Sequence, residues 1–321
     1  MRAFVTGAAG QDGSWLAEHL LALGLEVHGV VRAADQLDHL RAVGDRVKLH
    51  AVDLGAAADV DDLIGSLRPD RVFHLAAQST AHNADVDVTI ASNTLTTVHL
   101  LDALARRSPA TRFFLAGSSE QLAGGSTSPQ NEDSPELPRS VYGLSKAMAA
   151  SAVRFYRRQH GLFAAVGLLY NHESARRDPR FLSKKMARAA ARIAAGLDDH
   201  VDCGDLTAVR DWGFAPEYVV AMARMLELDA PADLVLATGV GHTVQDLVDA
   251  AFAAVGLTAA DHVRVNPTLV RPPEPVAVIG DPSRAAALLD WRATKPFDEM
   301  ISEMVRAEQQ ALSASTSGQG R

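Results

Sequence analysis

Three observations predict an α/β fold built on a doubly wound parallel sheet. The chain starts with an apolar strand, a glycine-rich turn and a helical pattern. Short apolar segments then alternate with helical patterns as far as Leu169, as in sheets whose parallel strands are joined by helices. The length of 321 residues is sufficient for one large α/β unit and a smaller lobe. We therefore expect a Rossmann-type domain with a smaller, discontinuous α/β lobe.

The first unit is a strand, a turn and a helix. Arg2 to Thr6 form the apolar strand, a GxxGxxG turn follows, and residues 14–23 have helical periodicity that stops at Gly24. Glycines let such a backbone turn tightly and approach a pyrophosphate, which then binds the amides at the helix N-terminus. A purely structural turn is the alternative. We expect a dinucleotide to contact the turn at Gly7, Gly10, Gln11, Asp12 and Gly13.

The second strand bears on the choice of dinucleotide. Residues 26–32 end in a cation, Arg32, where an acidic residue would bind a ribose 2′-hydroxyl. Arg32 favours NADP, because a guanidinium can pair with the 2′-phosphate. The nearby Asp35 keeps NAD open, and a solvent-exposed arginine at the strand end is the alternative for Arg32.

Later strands predict further cofactor contacts. Strands are expected at residues 47–52, 71–75, 112–116 and 164–169. Their carboxyl ends meet at one edge of the sheet, where the ligands of open α/β sheets bind. For Asp53 a helix cap or a turn is the alternative role. At this edge we expect cofactor contacts from Asp53, Leu54, Leu75, Ala76, Ala77, Gln78 and Ser79.

Two segments carry residues suited to catalysis. Tyr142 precedes Lys146 by four positions, so both lie on one face of a helix, where the ammonium can lower the phenol pKa and favour a general base. Exposed helix residues without a catalytic role are the alternative.

Ser118 can share the proton of a reacting alcohol. Glu120 can take a proton from carbon, which elimination needs and simple redox transfer does not. Ser119, between them, is expected to contact the substrate.

Composition restricts the class of protein. A net charge of −8 argues against a nucleic-acid-binding surface. No apolar run approaches the roughly 18 residues of a membrane span, and the chain enters its first strand directly, so we expect a cytoplasmic protein. Cys203 is the only cysteine, which excludes an internal disulfide. The 12 histidines show no HExxH spacing, so no metal site is expected.

The strict alternation of strands and helices ends after Leu169, which sets the expected domain boundary. We expect residues 1–169 to bind the dinucleotide, with segments near 211–238 returning to that domain, and residues 170–310 to form most of the substrate lobe. Residues 311–321 are expected to be a disordered tail, because Ser and Gly are frequent there. An ordinary basic helix face is the alternative for some cations of the lobe. Those cations are Arg176, Arg177, Lys184, Lys185, Arg188 and Arg192.

These motifs together resemble the GDP-mannose 4,6-dehydratase family of the extended short-chain dehydrogenase/reductase superfamily. The resemblance runs over nearly the whole chain. Its most specific segments are GQDGS at residues 10–14, NHESARR at 171–177, which is similar to the family's NHESPRR, and RDWG at 210–213. RPPE at 271–274 and GDP at 280–282 resemble two late segments of the family.

The resemblance implies an NADP-dependent dehydratase that acts on a GDP-linked sugar. Ser118 takes the place of the family's catalytic Thr, and Glu120 that of its acid/base. Tyr142 and Lys146 take the place of its redox pair. Tyr142 would remove the 4-hydroxyl proton while hydride leaves C4, and Glu120 would then remove the C5 proton before water leaves C6 and hydride returns there. The resemblance further assigns cofactor contacts to His172 and Arg177, and contacts with the nucleotide diphosphate to Asn171, Lys185, Arg210, Arg271 and Glu274.

Departures from the family pattern bear on substrate and assembly. Leu122 and Ala123 stand where the family has Leu-Tyr, and the loop after Ser79 is shorter, so an activated heptose is an alternative substrate. Ala33 and Ala34 replace an Arg-Ser pair, and the segment after them is shorter, so a homodimer is expected as well as a homotetramer. A nucleotide-sugar 4-epimerase or 4-ketoreductase is the second functional hypothesis, and a non-catalytic NADP-binding regulator is the third.

Overall fold

The chain alternates strands and helices in the computed structural model, which describes residues 1–31, 37–79, 85–270 and 276–318. Most strands of this part are short, and the longest have six residues. The strands are β1 (Arg2–Thr6), β2 (Glu26–Val31), β3 (Val47–Ala51), β4 (Arg71–His74), β5 (Arg112–Ala116), β6 (Ala164–Leu169), β7 (Asn171–Glu173), β8 (Val201–Cys203), β9 (Val209–Phe214), β10 (Leu234–Leu236), β11 (Gly241–Thr243) and β12 (Val263–Val265).

The helices include two irregular segments that matter for the site. A π-helix, Ala91–Leu95, joins two α-helices, and a 3₁₀ helix, Ser119–Gln121, follows β5. The α-helices are α1 (Gln11–Ala22), α2 (Ala57–Leu67), α3 (Val86–Ile90), α4 (Thr96–Arg107), α5 (Val141–His160), α6 (Leu182–Ala194), α7 (Ala215–Met225), α8 (Val244–Ala253), α9 (Ser283–Leu289) and α10 (Phe297–Gly318).

The central sheet is parallel and doubly wound, which confirms the predicted fold class. Its strand order is β10-β6-β5-β4-β1-β2-β3. The order reverses between β1 and β4, so their carboxyl ends border the crevice where such sheets bind ligands. The hydroxyl of Thr6 holds the two strand ends together, because it accepts hydrogen bonds from the amides of Leu75 and Ala76, each at 3.1 Å.

Continuous apolar runs were sufficient to predict most of the sheet. β1, β5 and β6 have the predicted bounds, whereas β3 and β4 each end one residue earlier than predicted. β10 was not predicted as a strand. It has only three residues, too few for a periodicity to show, and it is fixed by its parallel pairing with β6.

Helix α1 begins at Gln11, so the prediction that Gln11, Asp12 and Gly13 belong to the turn was wrong. The helix can begin this early because Gly13 has no side chain. A Cβ atom at Gly13 would lie 2.1 Å from the carbonyl oxygen of Gly7, which is too close. Asp12 therefore lies in the first turn, where a carboxylate is favoured by the helix dipole. The helix ends as predicted before Gly24, whose φ is +78°.

A second group of elements follows residue 170. β7, β9 and β11 form a three-stranded sheet, and β8 pairs with β12. Helices α6, α8 and α10 share an apolar core that includes Met186, Leu247, Phe252, Ile301 and Met304. Helix α7 packs against α1 on the face of the central sheet. The domain boundaries stay a prediction.

Helix α10 reaches Gly318, so the prediction of disorder from residue 311 was wrong for residues 311–318. Its first half is anchored by buried Ile301, Met304 and Val305. An ion pair between Lys184 of α6 and Glu308 holds the next turn. Because a helix is costly to nucleate and cheap to extend, an anchored helix continues through Ser- and Ala-rich sequence.

In the described ranges, helices that are long and apolar enough to span a membrane are absent. Groups of three or more His, Cys, Asp or Glu suited to a metal ion are likewise absent from the part of the chain that the structure describes. Cys203 is a buried free thiol.

Candidate active site

Tyr142 and Lys146 lie on one face of α5, close to the carboxyl end of β5. The hydroxyl of Ser140 caps α5 by accepting a hydrogen bond from the amide of Gly143 at 3.0 Å, which fixes where the helix begins. Lys146 Nζ is buried, lies 5.8 Å from the centroid of the Tyr142 ring and donates a hydrogen bond to the carbonyl of Ala116 at 2.8 Å. Burial lowers the pKa of Lys146 to about 8.

The pKa of Tyr142 is not lowered toward neutrality in this structure, contrary to the sequence-based prediction. Burial raises it to about 12, and the negative charge of Glu120 acts in the same direction. A hydrogen bond with Ser118 opposes these effects. The prediction was wrong because the helical spacing shows where Lys146 lies but not how far the fold removes the phenol from water.

Ser118 and Glu120 are placed by a tight turn after β5. Ser118 caps the 3₁₀ helix, and its Oγ accepts a hydrogen bond from the amide of Glu120 at 3.2 Å. The carboxylate of Glu120 accepts a hydrogen bond from Ser140 Oγ at 3.1 Å. Ser140 therefore connects Glu120 to the start of the helix that carries Tyr142. The sequence analysis missed Ser140, although a serine just before a helical pattern is a recognisable cap.

Asp12 and His172 form an ion pair between α1 and β7. His172 Nε2 lies 2.9 Å from Asp12 Oδ2, and Nδ1 lies 2.7 Å from the carbonyl of Tyr170. Both partners are acceptors, so both ring nitrogens must carry protons and the ring is an imidazolium. Burial opposes this charge, but the charge and hydrogen bond of Asp12, together with the hydrogen bond to Tyr170, raise the pKa of His172. Burial likewise opposes ionised Asp12, but His172, Gln11 and Arg177 together lower the pKa of Asp12.

The glycine-rich segment and the NHESARR segment are joined by further side chains. Gln11 Nε2 donates to the carbonyl of His172 at 3.0 Å, and Ser174 Oγ donates to Gln11 Oε1 at 3.0 Å. The indole of Trp15 donates to Ser174 at 3.2 Å, and the guanidinium of Arg176 lies 3.7 Å from the Trp15 ring centroid. Ser174 and Trp15 were missed, because a distance of 159 residues in the sequence gives no sign of contact.

Arg177 lies at the same junction. Its Nε is 3.0 Å from Oε2 of buried Glu173, and its guanidinium packs 3.6 Å from the ring centroid of Phe181. The positive charge of Arg177 acts on Asp12 and on Tyr142. It therefore lies between the predicted cofactor loop and the predicted base.

Asn93 of the π-helix supports the opposite side of the site. Its side chain accepts from the amide of Gln78 at 2.7 Å and donates to the carbonyl of Gln78 at 3.1 Å. It also donates to Ser145 Oγ at 2.9 Å, and Ser145 in turn donates to the carbonyl of Tyr142 at 2.8 Å. π-helices are frequent at functional sites. The sequence offers a weak signal, since a buried Asn is unusual inside a helix.

The other predicted cofactor residues differ in their exposure and in their contacts. Asp53 is exposed and accepts a hydrogen bond from the amide of Gly55 at 2.8 Å, which is the turn role given as its alternative. Leu54 is buried. Ala77, Gln78 and Ser79 continue from the end of β4 along the crevice. Arg32 and Asp35, on which the preference for NADP or NAD depends, lie outside the described residues.

The predicted substrate residues lie mainly on the second group of elements. Asn171 and Trp212 are register partners in the neighbouring strands β7 and β9, and Arg210 precedes Trp212 by two residues on β9. Lys185 Nζ donates to the carbonyl of Asp202 at 2.6 Å. Ser119 is buried in the turn that follows β5. Arg271 and Glu274 lie outside the described residues.

The sequence matches the family described as GDP-mannose 4,6 dehydratase over residues 4–304. It is 39% identical to GDP-mannose 4,6 dehydratase 2 of Arabidopsis thaliana, over 94% of this chain and 85% of that protein. It is 35% identical to the human GDP-mannose 4,6 dehydratase, over 95% of this chain and 91% of that protein. Among solved structures, the Thermus thermophilus UDP-glucose 4-epimerase in complex with NAD matches with a TM-score of 0.85 and 27% identity, over 97% of this chain and 100% of that one.

Proposed function

This chain belongs to the GDP-mannose 4,6-dehydratase family and is a nucleotide-sugar 4,6-dehydratase, and from that premise we propose that its substrate is GDP-mannose and its cofactor NADP. We propose the substrate from the relatives and the cofactor from Arg32 in the sequence, whereas the position of Glu120 carries the dehydratase chemistry. Its carboxylate is held by Ser140 at the start of the helix that carries Tyr142. A C4 epimerase or ketoreductase has no use for a carboxylate that removes a proton from C5.

The crevice fits a dinucleotide. The N-terminus of α1 faces the carboxyl ends of β1 and β4, and a Cβ atom at Gly7 would lie 2.9 Å from the amide nitrogen of Ala76, so only a bare backbone fits there. When bound, the nicotinamide supplies an acceptor for the C4 hydride and later a donor to C6. The chain's own part is to hold the dinucleotide through the turn, the crevice residues 75–79 and the Asp12–His172 pair.

Proton transfer depends on side chains of α5 and of residues 118–121, which we call the catalytic turn. Tyr142 takes the 4-hydroxyl proton, with Ser118 sharing it, and the ammonium of Lys146 favours the phenolate. A pKa of about 12 means that the phenolate must be stabilised further as the reaction proceeds. The positive charges of Lys146 and Arg177 both act in that direction.

Glu120 performs the elimination. Oxidation at C4 makes the C5 hydrogen acidic, because the carbanion is delocalised into the ketone. The carboxylate removes that proton and then delivers a proton to the departing 6-hydroxyl, so that water leaves and an enone remains. Hydride return to C6, with delivery to C5 of a proton that balances the one Tyr142 took from the 4-hydroxyl, completes the 4-keto-6-deoxy product. The cofactor ends the cycle unchanged.

The remaining assignments concern the substrate lobe. Residues 170–310 form most of it, and the segments near 211–238 return to the dinucleotide domain, as the pairing of β10 with β6 and the packing of α7 on α1 support. The nucleotide diphosphate contacts cationic and other polar side chains of the substrate lobe. Its proposed ligands are Asn171, Lys185, Arg210, Arg271 and Glu274.

A panel of GDP-, ADP-, CDP- and UDP-sugars, followed by mass spectrometry, tests the activity. GDP-mannose is expected to lose the mass of one water without added cofactor. An unchanged mass with inverted stereochemistry at C4 would mean an epimerase instead. The cofactor is identified by denaturing the purified enzyme. NAD recovered alone, with unchanged NADP affinity in Arg32→Ala, would overturn the assignment and make Asp35 the next residue to test.

The exposed face of α5 supports a homodimer. Leu144, Met148 and Phe155 are each at least 40% exposed and recur along one helix face. Leu95, at the end of the π-helix that packs on α5, extends this apolar stripe. Large apolar side chains in such a row are unusual on a monomer, and a stripe along a helix can pack against its own copy about a two-fold axis.

A further inference from the structure

Gln121 is the last residue of the catalytic turn and is buried, and no step of the proposed reaction uses its side chain. Its Oε1 accepts a hydrogen bond from the amide of Ser118 at 2.9 Å. Because Ser118 also caps the turn with its hydroxyl, the two residues form a reciprocal capping box. The Gln121 amide thus fixes the backbone that presents both Ser118 and Glu120.

The sequence around Gln121 makes room for this amide. Gly117 immediately precedes the turn, and a Cβ atom there would lie 2.8 Å from Gln121 Oε1 and 2.9 Å from the carbonyl of Gly167. A glycine at 117 therefore lets the amide reach the Ser118 N–H. This is a second, independent sign that the position of Gln121 is specified.

A network of charged residues sets the orientation of the amide. Gln121 Nε2 donates to Glu136 Oε1 at 3.3 Å, and Arg154 donates to the same oxygen at 2.7 Å. Arg154 also donates to Asp233 at 2.7 Å, and Arg157 pairs with Asp233. Since the Glu136 carboxylate only accepts, the amide nitrogen must point toward it and the amide oxygen toward Ser118. The network borders a cavity of about 370 Å³ on the outer side of the turn.

We propose that Gln121, oriented by Glu136 and Arg154, is a positioning residue that holds Ser118 and Glu120 at the distances that Tyr142 and the substrate require. This inference rests on the proposed function, because its readout is the dehydration rate. Gln121 takes no part in the proton transfers. Its side chain stabilises the catalytic turn through Glu136, which is bound by Arg154 and, through it, by Asp233. Displacing a catalytic group by about 1 Å can cost on the order of 100-fold in rate.

Gln121→Met tests the proposal, since methionine fills a similar volume and makes neither hydrogen bond. We expect kcat to fall roughly 10- to 100-fold while KM stays within about threefold, because the turn is disturbed and the nucleotide contacts are not. Gln245→Met is the matched control: Gln245 bonds Asp249 one helical turn away on α8, and its kcat should equal that of the wild type. A folded Gln121→Met enzyme that keeps more than half of the wild-type kcat overturns the proposal.

Two variants at Glu136 distinguish a positioning role of Gln121 from a role in the stability of the fold. They also test the proposal if Gln121→Met fails to fold. Glu136→Gln keeps an oxygen that can accept from both Gln121 and Arg154, so its kcat should stay within about threefold of the wild type. Glu136→Leu removes that oxygen and should lower kcat at least tenfold. Equal kcat values in the two variants overturn the proposal. A wild-type enzyme that dehydrates no nucleotide sugar refutes the proposed function, whereas wild-type turnover with an active Gln121→Met refutes only this inference.

Discussion

The dinucleotide crevice and the catalytic turn lie at the ends of neighbouring strands, but they are held in different ways. The crevice is formed mainly by backbone: the turn at Gly7, the start of α1 and the end of β4, with Thr6 hydrogen-bonded to two amides. The catalytic turn depends on side chains: its own Gln121, and Ser140 and Glu136 from later in the chain. We infer that single substitutions affect the turn more strongly than the crevice.

The largest effect is expected at the acid/base. Glu120→Gln keeps the hydrogen bond from Ser140 but cannot take the C5 proton, so dehydration should fall by roughly 10²- to 10⁴-fold. Substrate and cofactor should still bind with nearly unchanged affinity, as measured by calorimetry. Turnover above about a tenth of the wild-type value would remove Glu120 from the role of base.

A comparable loss is expected at the redox pair. Tyr142→Phe removes the base, and Lys146→Ala removes the buried ammonium beside it, so each should suppress oxidation at C4 by roughly 10²- to 10⁴-fold. Single-turnover measurement of reduced cofactor isolates this step. If Tyr142→Phe, verified as folded by circular dichroism, turns over at the wild-type rate, the YxxxK match is accidental.

A smaller loss is expected at Ser140, which caps α5 and contacts the catalytic turn through Glu120. Ser140→Ala removes both the cap of α5 and the hydrogen bond to Glu120, and kcat should fall about tenfold. Ser140→Thr keeps the hydroxyl and is the control. Because the lost cap also costs about 1 kcal/mol, thermal unfolding of both variants separates the two effects. Equal kcat in the alanine and threonine variants would show that Glu120 does not need this contact.

The same difference between the two regions explains what the sequence could predict. The crevice follows from local patterns, because an apolar run, glycines and a helical period lie within some two dozen residues. Tyr142 and Lys146 share a face by spacing alone. Ser140 has the pattern of a helix cap and Asn93 gives a weak signal, but the distant contacts of Ser140, Asn93 and Gln121 could not be assigned, since they depend on which segments the fold brings together. Asn93, for example, contacts Ser145 across 52 residues of sequence.

Burial explains two further errors. The pKa of Tyr142 is raised to about 12 because the surrounding protein partly desolvates the phenol, which a helical spacing cannot reveal. Helix α10 runs on through a segment whose composition suggested disorder, because its first half is anchored in a core formed with α6 and α8. In both cases the tertiary surroundings outweigh the local pattern.

The Asp12–His172 pair should give the smallest effect, and one that depends on pH. The raised pKa of His172 means that its contribution to stability is complete below about pH 6.5 and is lost as the pH rises through the folded-state value. The lowered pKa of Asp12 means that its contribution is complete above about pH 3.8 and is lost as the pH falls through its folded-state value. The pair therefore stabilises the fold most between about pH 4 and pH 6.5.

Asp12→Asn should lower the free energy of unfolding by ~1–3 kcal/mol in that range and by less at higher pH, where His172 loses its charge in the wild type as well. Thermal unfolding of both proteins from about pH 5 to pH 9 measures the difference. Equal stability of the two proteins near pH 5 would mean that Asp12 and His172 do not stabilise the fold as an ion pair, and the imidazolium assignment would lose its support.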